Sequence, residues 1–80
     1  MQTKGQYRVG TNFNPSASST VDQIKAKAAE LIDLIEDIPS DRSSERGNEA
    51  GRLKALAQTE IESAAMWAVK AATKREPGEA

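Results

Sequence analysis

The chain has 80 residues, with 11 Lys and Arg against 12 Asp and Glu, and a net charge of −1. This length allows one small domain, and the even charge excludes the basic face that a duplex DNA binder needs. Histidine and cysteine are absent. We therefore expect a non-enzymatic protein without disulfide, metal or cofactor. No apolar run approaches the ~20 residues that span a bilayer, so we expect an intracellular, cytoplasmic protein.

Residues 1–19 are predicted to form an N-terminal arm that is extended or irregular, because glycines, a proline and serines interrupt them. Tyr7, Val9 and Phe13 nevertheless alternate with smaller or polar residues. Large side chains in an arm usually pack onto something. Two interpretations stay open: these side chains cover helices of this chain or a neighbour, or one of them stacks on a ligand.

A first helix is predicted at about residues 20–38, and the proline that follows ends it. Thr20 and Gln23 have the spacing of a capping box. Apolar residues then recur at steps of three and four, the pattern of a seam between helices. Ile32 and Leu34 lie off this line and broaden the apolar face. The seam residues are Val21, Ile24, Ala28, Leu31, Ile35 and Ile38.

A second helix is predicted to end at residue 74, and its start is open. Ser40 caps it if it begins at Asp41, and Asn48 caps it if it begins later. Either connection is short, so the helices should form an antiparallel hairpin. The tail, 75–80, should fray. The predicted buried stripe comprises Leu53, Leu56, Ala57, Ile61, Ala64, Ala65, Ala68, Ala71 and Ala72.

The second helix favours assembly of several copies. Its alanine-rich stripe buries little apolar area, and its length exceeds that of the first helix by at least two turns. Trp67 is interpreted as an interface anchor on this stripe. Small domains without disulfides or metals often gain stability by oligomerising. We expect an all-α protein, an N-terminal arm followed by an antiparallel helical hairpin, that assembles into a symmetric homo-oligomer.

The sequence offers an anion site but no catalytic one. No nucleophile–base pair and no phosphate-binding glycine loop is present. Lys25 lies early in the first helix beside the Phe13–Ser16 segment, so a phosphate at the helix start and a base on the ring form a plausible nucleotide site. Arg52 either pairs with Glu45 or Glu49 in solvent, or converges with its symmetry copies around an anion.

Three segments together resemble one family. They are VGTNFNPS at 9–16, VDQIK at 21–25, and the second-helix run RLKALAQT at 52–59 with Glu62 and AAMWA at 64–68. The chain is similar, from about Val9 to Lys74, to the small helical-hairpin sponge proteins that phages use against CBASS immunity. Related hairpins occur in anti-Thoeris sponges.

The resemblance implies a homohexamer in the cytoplasm of an infected bacterium. It would sequester cyclic dinucleotides of the cyclic GMP-AMP type between paired subunits without cleaving them. Cyclic trinucleotides of the cyclic tri-adenylate type would bind at separate three-subunit sites. By position, Phe13 would stack on bases, Lys25 would contact phosphate and Arg52 would serve the trinucleotide site. The expected ligand-binding residues are Phe13, Asn14, Pro15, Ser16, Lys25 and Arg52.

The alternative function is that of an oligomeric helical-hairpin adaptor, which binds another protein through its exposed faces. This interpretation explains the seam, the alanine stripe and Trp67 without any ligand. It gives Phe13 beside Lys25 no role.

Overall fold

The computed structural model describes residues 1–78. Three helices, and no strand, occur in this range: α1 at Lys4–Val9, α2 at Ser19–Glu36 and α3 at Glu45–Ala72. α2 and α3 pack antiparallel, since the end of α2 contacts the first half of α3 and its start faces the end of α3. α1 contacts both helices. The predicted all-helical hairpin fold is confirmed.

The N-terminal arm is not extended or irregular throughout, because residues 4–9 form α1. A capping box starts this helix: the Thr3 hydroxyl accepts a hydrogen bond from the Gln6 amide at 3.1 Å, and the Gln6 side chain accepts from the Thr3 amide at 2.9 Å. Gly10 ends it in the left-handed region, at φ 76°, where glycine has no steric penalty. The two reciprocal hydrogen bonds offset the low helix propensity of Gly5.

α2 begins and ends slightly earlier than predicted. Ser18, and not Thr20, is its N-cap, and the Ser18 hydroxyl accepts a hydrogen bond from the amide three residues on. Its regular turns stop at Glu36. The Lys54 ammonium of α3 donates to the carbonyls of Glu36 and Ile38 at 2.9 and 2.8 Å. A cation at these free carbonyls stabilises the end of a helix.

α3 begins at neither of the two predicted starts. Ser44, rather than Ser40 or Asn48, is the N-cap, and its hydroxyl accepts from the third amide of the helix at 3.0 Å. α3 ends at Ala72, two residues before the predicted end. Of the tail predicted at 75–80, the last two residues lie outside the described part of the chain.

The buried line of α2 is displaced from the predicted seam. Ile32, which lies off that seam, is completely buried, whereas Leu31 on the seam is 44% exposed. On α3 the buried positions are Gly47, Gln58 and Ala65, and much of the predicted stripe faces solvent. Periodicity locates an apolar face but does not say which neighbour covers it. The exposed large apolar residues of α2, α3 and the connection between them are Leu31, Leu34, Ile38, Leu53, Leu56, Met66 and Trp67.

A polar residue, Gln58, occupies the centre of the hairpin and is 1% exposed. Its amide donates to the Ile32 carbonyl at 3.1 Å and to a Glu36 carboxylate oxygen at 3.0 Å. Its own oxygen accepts from the Lys4 ammonium at 2.9 Å. The hydrogen bond from Lys4 and then that from Gln58 lower the pKa of Glu36 to about 2. All three helices therefore meet at one polar cluster.

The backbone forms a flat plate, with principal extents of 55 × 28 × 13 Å for the Cα positions. A plate this thin has little interior, so its helices keep large apolar side chains on the surface. Trp67, predicted to anchor an interface, is 67% exposed. Among the described residues, no helix combines the length and the apolar content that crossing a membrane requires.

Candidate nucleotide-binding site

The segment that joins α1 to α2 carries four of the six predicted ligand-binding residues, Phe13 to Ser16. The Phe13 amide donates to the Gly10 carbonyl at 3.0 Å, which folds the chain into a turn directly after α1. A second turn follows, in which the Ala17 amide donates to the Asn14 carbonyl at 3.1 Å. Ala17 has a positive φ of 55°, an unfavourable conformation for a residue with a Cβ atom. The connecting segment, residues 10–18, is therefore a tightly folded loop.

Polar side chains within this loop bind its own backbone and the start of α2. The Asn14 amide donates to the Ser18 carbonyl at 2.8 Å and to the Asp22 carboxylate at 2.9 Å. The Ser16 hydroxyl donates to the Asn14 side-chain oxygen at 2.6 Å. Asn14 and Ser16 thus stabilise the conformation of the loop. Sequence reasoning grouped them with the ligand contacts and did not foresee this use.

Lys25 lies beneath the loop and is only 7% exposed. Its ammonium donates to the Gly10 carbonyl at 3.0 Å and to the Phe13 carbonyl. The same nitrogen lies 5.3 Å from the centroid of the Phe13 ring, within the range of a cation–π contact. An ammonium has three N–H donors, so two carbonyls leave one for a further acceptor. The structure brings Phe13 and Lys25 together, as the sequence predicted for a nucleotide site.

A surface cavity of about 400 Å³ opens beside this pair. The loop residues from Phe13 to Ser16 line it together with Lys25. The cavity is also lined by Val69 of α3, by the α3 C-cap Thr73, and by Val21 and Arg75. The ring of Phe13 is 69% exposed, so a planar group can reach it. Sequence reasoning missed Val69 and Thr73, because only the antiparallel packing of the hairpin brings them to the loop.

Arg52 lies elsewhere, about 25 Å along α3 from Val69 at about 1.5 Å per residue. Its guanidinium donates to both carboxylate oxygens of Glu49, at 2.5 and 3.3 Å, one of the two pairings that the sequence allowed. This hydrogen bond raises the pKa of Arg52 and lowers that of Glu49. The Arg52 side chain remains 61% exposed. It borders a separate cavity of about 490 Å³, with Arg42 and Lys54 also on its wall.

The fold and this geometry define a class: a small helical hairpin with an aromatic–lysine pocket at one end and an arginine-lined cavity toward the other. Comparison with protein families identifies it further. The family described as "Acb2/Tad1, hairpin domain" matches residues 4–73. The chain belongs to this family, which contains the anti-CBASS sponge proteins that its sequence resembles. Comparisons with curated proteins and with solved structures gave no significant match.

Membership in this family implies a general function. Proteins of this family are non-enzymatic sponges that bind signalling nucleotides. The matched residues include the whole of all three helices, the loop with Phe13, and Thr73, the C-cap of α3. Of the residues that line the nucleotide-site candidate, all but Arg75 therefore lie within the family's hairpin domain.

Proposed function

We propose that this protein sequesters cyclic dinucleotide second messengers, without cleaving them, and so antagonises CBASS-type signalling in the bacterial cytoplasm. The observation that carries the proposal is the exposed Phe13 ring beside the Lys25 ammonium, at the wall of a cavity, in a chain of the sponge family. The ring offers a stacking surface for a base, and the remaining Lys25 donor can reach a phosphate oxygen.

The cavity favours a ligand shared between two copies of the chain. It is open on one side, and a single chain supplies one aromatic ring and one lysine. A cyclic dinucleotide has two bases and two phosphates related by approximate two-fold symmetry. Two chains arranged about a two-fold axis would match that symmetry with two rings and two ammonium groups. The exposed apolar side chains of α2 and α3 supply surface for such contacts, and a homohexamer of paired subunits is the assembly that we propose.

Arg52 supports a second proposed site for cyclic trinucleotides. The four cationic side chains at its cavity are Lys4, Arg42, Arg52 and Lys54. Lys54 is engaged with the end of α2, and Arg52 is held by Glu49, an exposed contact that a phosphate can replace. Convergence of Arg52 from three subunits would create the charge density that three phosphates require.

Titration calorimetry tests both proposals on the purified protein, with a cyclic GMP-AMP dinucleotide and, separately, cyclic tri-adenylate. We expect tight binding of about one dinucleotide per two subunits. The solution mass is measured on the same sample, and the recovered ligand is checked by mass spectrometry. Lys25→Ala should abolish dinucleotide binding while the oligomer persists. Cleaved ligand would contradict the sponge mechanism, and normal binding by Lys25→Ala would contradict the site.

The adaptor function remains the second candidate, because the exposed apolar residues also fit a protein partner. A well-folded oligomer that gives no heat with either ligand would favour it. Truncation of residues 1–16 does not discriminate cleanly, since it removes α1 and uncovers Gln58. Phe13→Ala is the sharper variant, because an adaptor has no need of that exposed ring.

A further inference from the structure

α1 docks on α2 through a contact that admits no side chain. Gly5 is buried, and a Cβ atom built on it would lie 2.1 Å from the Ala29 carbonyl oxygen. The Gly5 amide, one of the free donors at the start of α1, donates to the Asp33 carboxylate at 2.7 Å. Gly5, Ala29 and Asp33 form what we call the α1–α2 contact. It sets how closely α1 approaches α2.

The other end of α1 is continuous with the wall of the nucleotide-site candidate. Gly10 caps α1, and its carbonyl accepts both from the Phe13 amide and from Lys25. No flexible spacer separates the helix from the turn that carries the ring. A shift of α1 along α2 would move the Gly10 carbonyl away from Lys25 and carry Phe13 with it.

We propose that Gly5 and Asp33 are positioning residues for the ligand: they hold α1 where it presents Phe13 to the cavity. This inference rests on the function proposed above. Neither residue borders the cavity, and Asp33 lies about 12 Å along α2 from Lys25 at about 1.5 Å per residue. Their effect on binding is therefore transmitted through α1 and the loop.

Four variants test the proposal in the full-length chain. Gly5→Ala places a methyl group against the Ala29 carbonyl, and Asp33→Ala removes the acceptor of the Gly5 amide. Asp33→Asn keeps an acceptor oxygen and is the rescue variant. Gly51→Ala is the matched control for the glycine change, since its Cβ atom would meet only the Ser40 Cβ at an ordinary 3.6 Å.

Calorimetry with cyclic GMP-AMP should show affinities at least about tenfold weaker for Gly5→Ala and Asp33→Ala, the scale of one hydrogen bond to a charged group. Asp33→Asn and Gly51→Ala should stay within about threefold of the parent protein, because the first keeps an acceptor and the second meets no obstruction. Hydrogen–deuterium exchange should rise at residues 4–18 in the two weakened variants. Protection within α2 and α3, and the solution mass, should not change.

The outcomes separate the two proposals. A parent protein that binds no dinucleotide refutes the proposed function, and the positioning role falls with it. If the parent protein binds the dinucleotide and Gly5→Ala and Asp33→Ala bind it with the same affinity, the positioning role is refuted and the proposed function stands. Weaker binding with equal loss of protection throughout α2 and α3, and no rescue by Asp33→Asn, also refutes it, because the contact would then be merely structural.

Discussion

Replacing Phe13 by alanine removes the stacking surface with little effect on the fold. The ring is 69% exposed and borders the cavity, so its loss leaves no buried void. Stacking of a base on an aromatic side chain is worth about 1–3 kcal/mol. A dinucleotide held between two chains would lose two such contacts, or about 2–6 kcal/mol. The expected fall in affinity is therefore roughly 30-fold to 20,000-fold.

Calorimetry on Phe13→Ala, Phe13→Leu and Phe13→Tyr separates the contribution of the aromatic face to binding from that of apolar bulk. Phe13→Leu keeps an apolar side chain without a π face, and should bind almost as weakly as Phe13→Ala. Phe13→Tyr keeps the ring and adds a hydroxyl, and should bind within about tenfold of the parent protein, because the stacking contact is retained. Circular dichroism and the solution mass serve as controls for folding and assembly.

Affinity of Phe13→Ala within about threefold of the parent protein would refute the stacking argument, since this is less than the weakest stacking contact predicts. Equal binding by Phe13→Leu and the parent protein would show that bulk, and not the aromatic face, matters. In that case Lys25 would have to account for recognition by charge alone.

Three further changes probe other parts of the molecule. Arg52→Ala should weaken cyclic tri-adenylate binding at least about tenfold and leave dinucleotide affinity unchanged, because the two sites are far apart. Calorimetry with both ligands checks this. An equal loss of affinity for both ligands would contradict the independence of the two sites. Gln58→Ala should lower the free energy of unfolding by about 2–4 kcal/mol, measured in urea at fixed protein concentration, because it opens a cavity and removes three hydrogen bonds. The hydrogen bonds that lower the pKa of Glu36 stabilise the folded state fully at pH values above 4.5, the ordinary pKa of a glutamate. This stabilisation should be lost as the pH falls toward about 2, the pKa of Glu36 in the folded protein. Urea unfolding of Glu36→Gln should depend less steeply on pH in that window, and an unchanged slope would contradict the assignment.

Much of the fold could be predicted from short-range signals. Periodicity and helix formers locate α2 and α3, and the short connection implies their antiparallel packing. α1 was not predicted, because Gly5 indicates a break in helical structure. Thr3 and Gln6 nevertheless have the spacing of the capping box that starts this helix. The seam was misplaced because the spacing of Leu31 and Ile32 does not reveal which of the two faces α3 and which faces solvent.

The candidate site, like the fold, could be predicted from the sequence only in part. Phe13 and Lys25 are close in the sequence, so a loop before a helix brings them together by local geometry. That Lys25 holds two loop carbonyls depends on how the chain turns at Gly10. The contribution of Val69 depends on tertiary packing and has no local signal. Ligand binding by these residues stays a prediction.

The 13 Å thickness of the plate has a consequence for when the protein works. A layer this thin cannot shield its own apolar faces, so burial of those faces by other copies would couple folding to the amount of protein present. Dilute chains would open often and be degraded, whereas accumulated chains would protect one another. Capture of messengers would then begin abruptly, at a threshold of expression, rather than in proportion to the number of chains made.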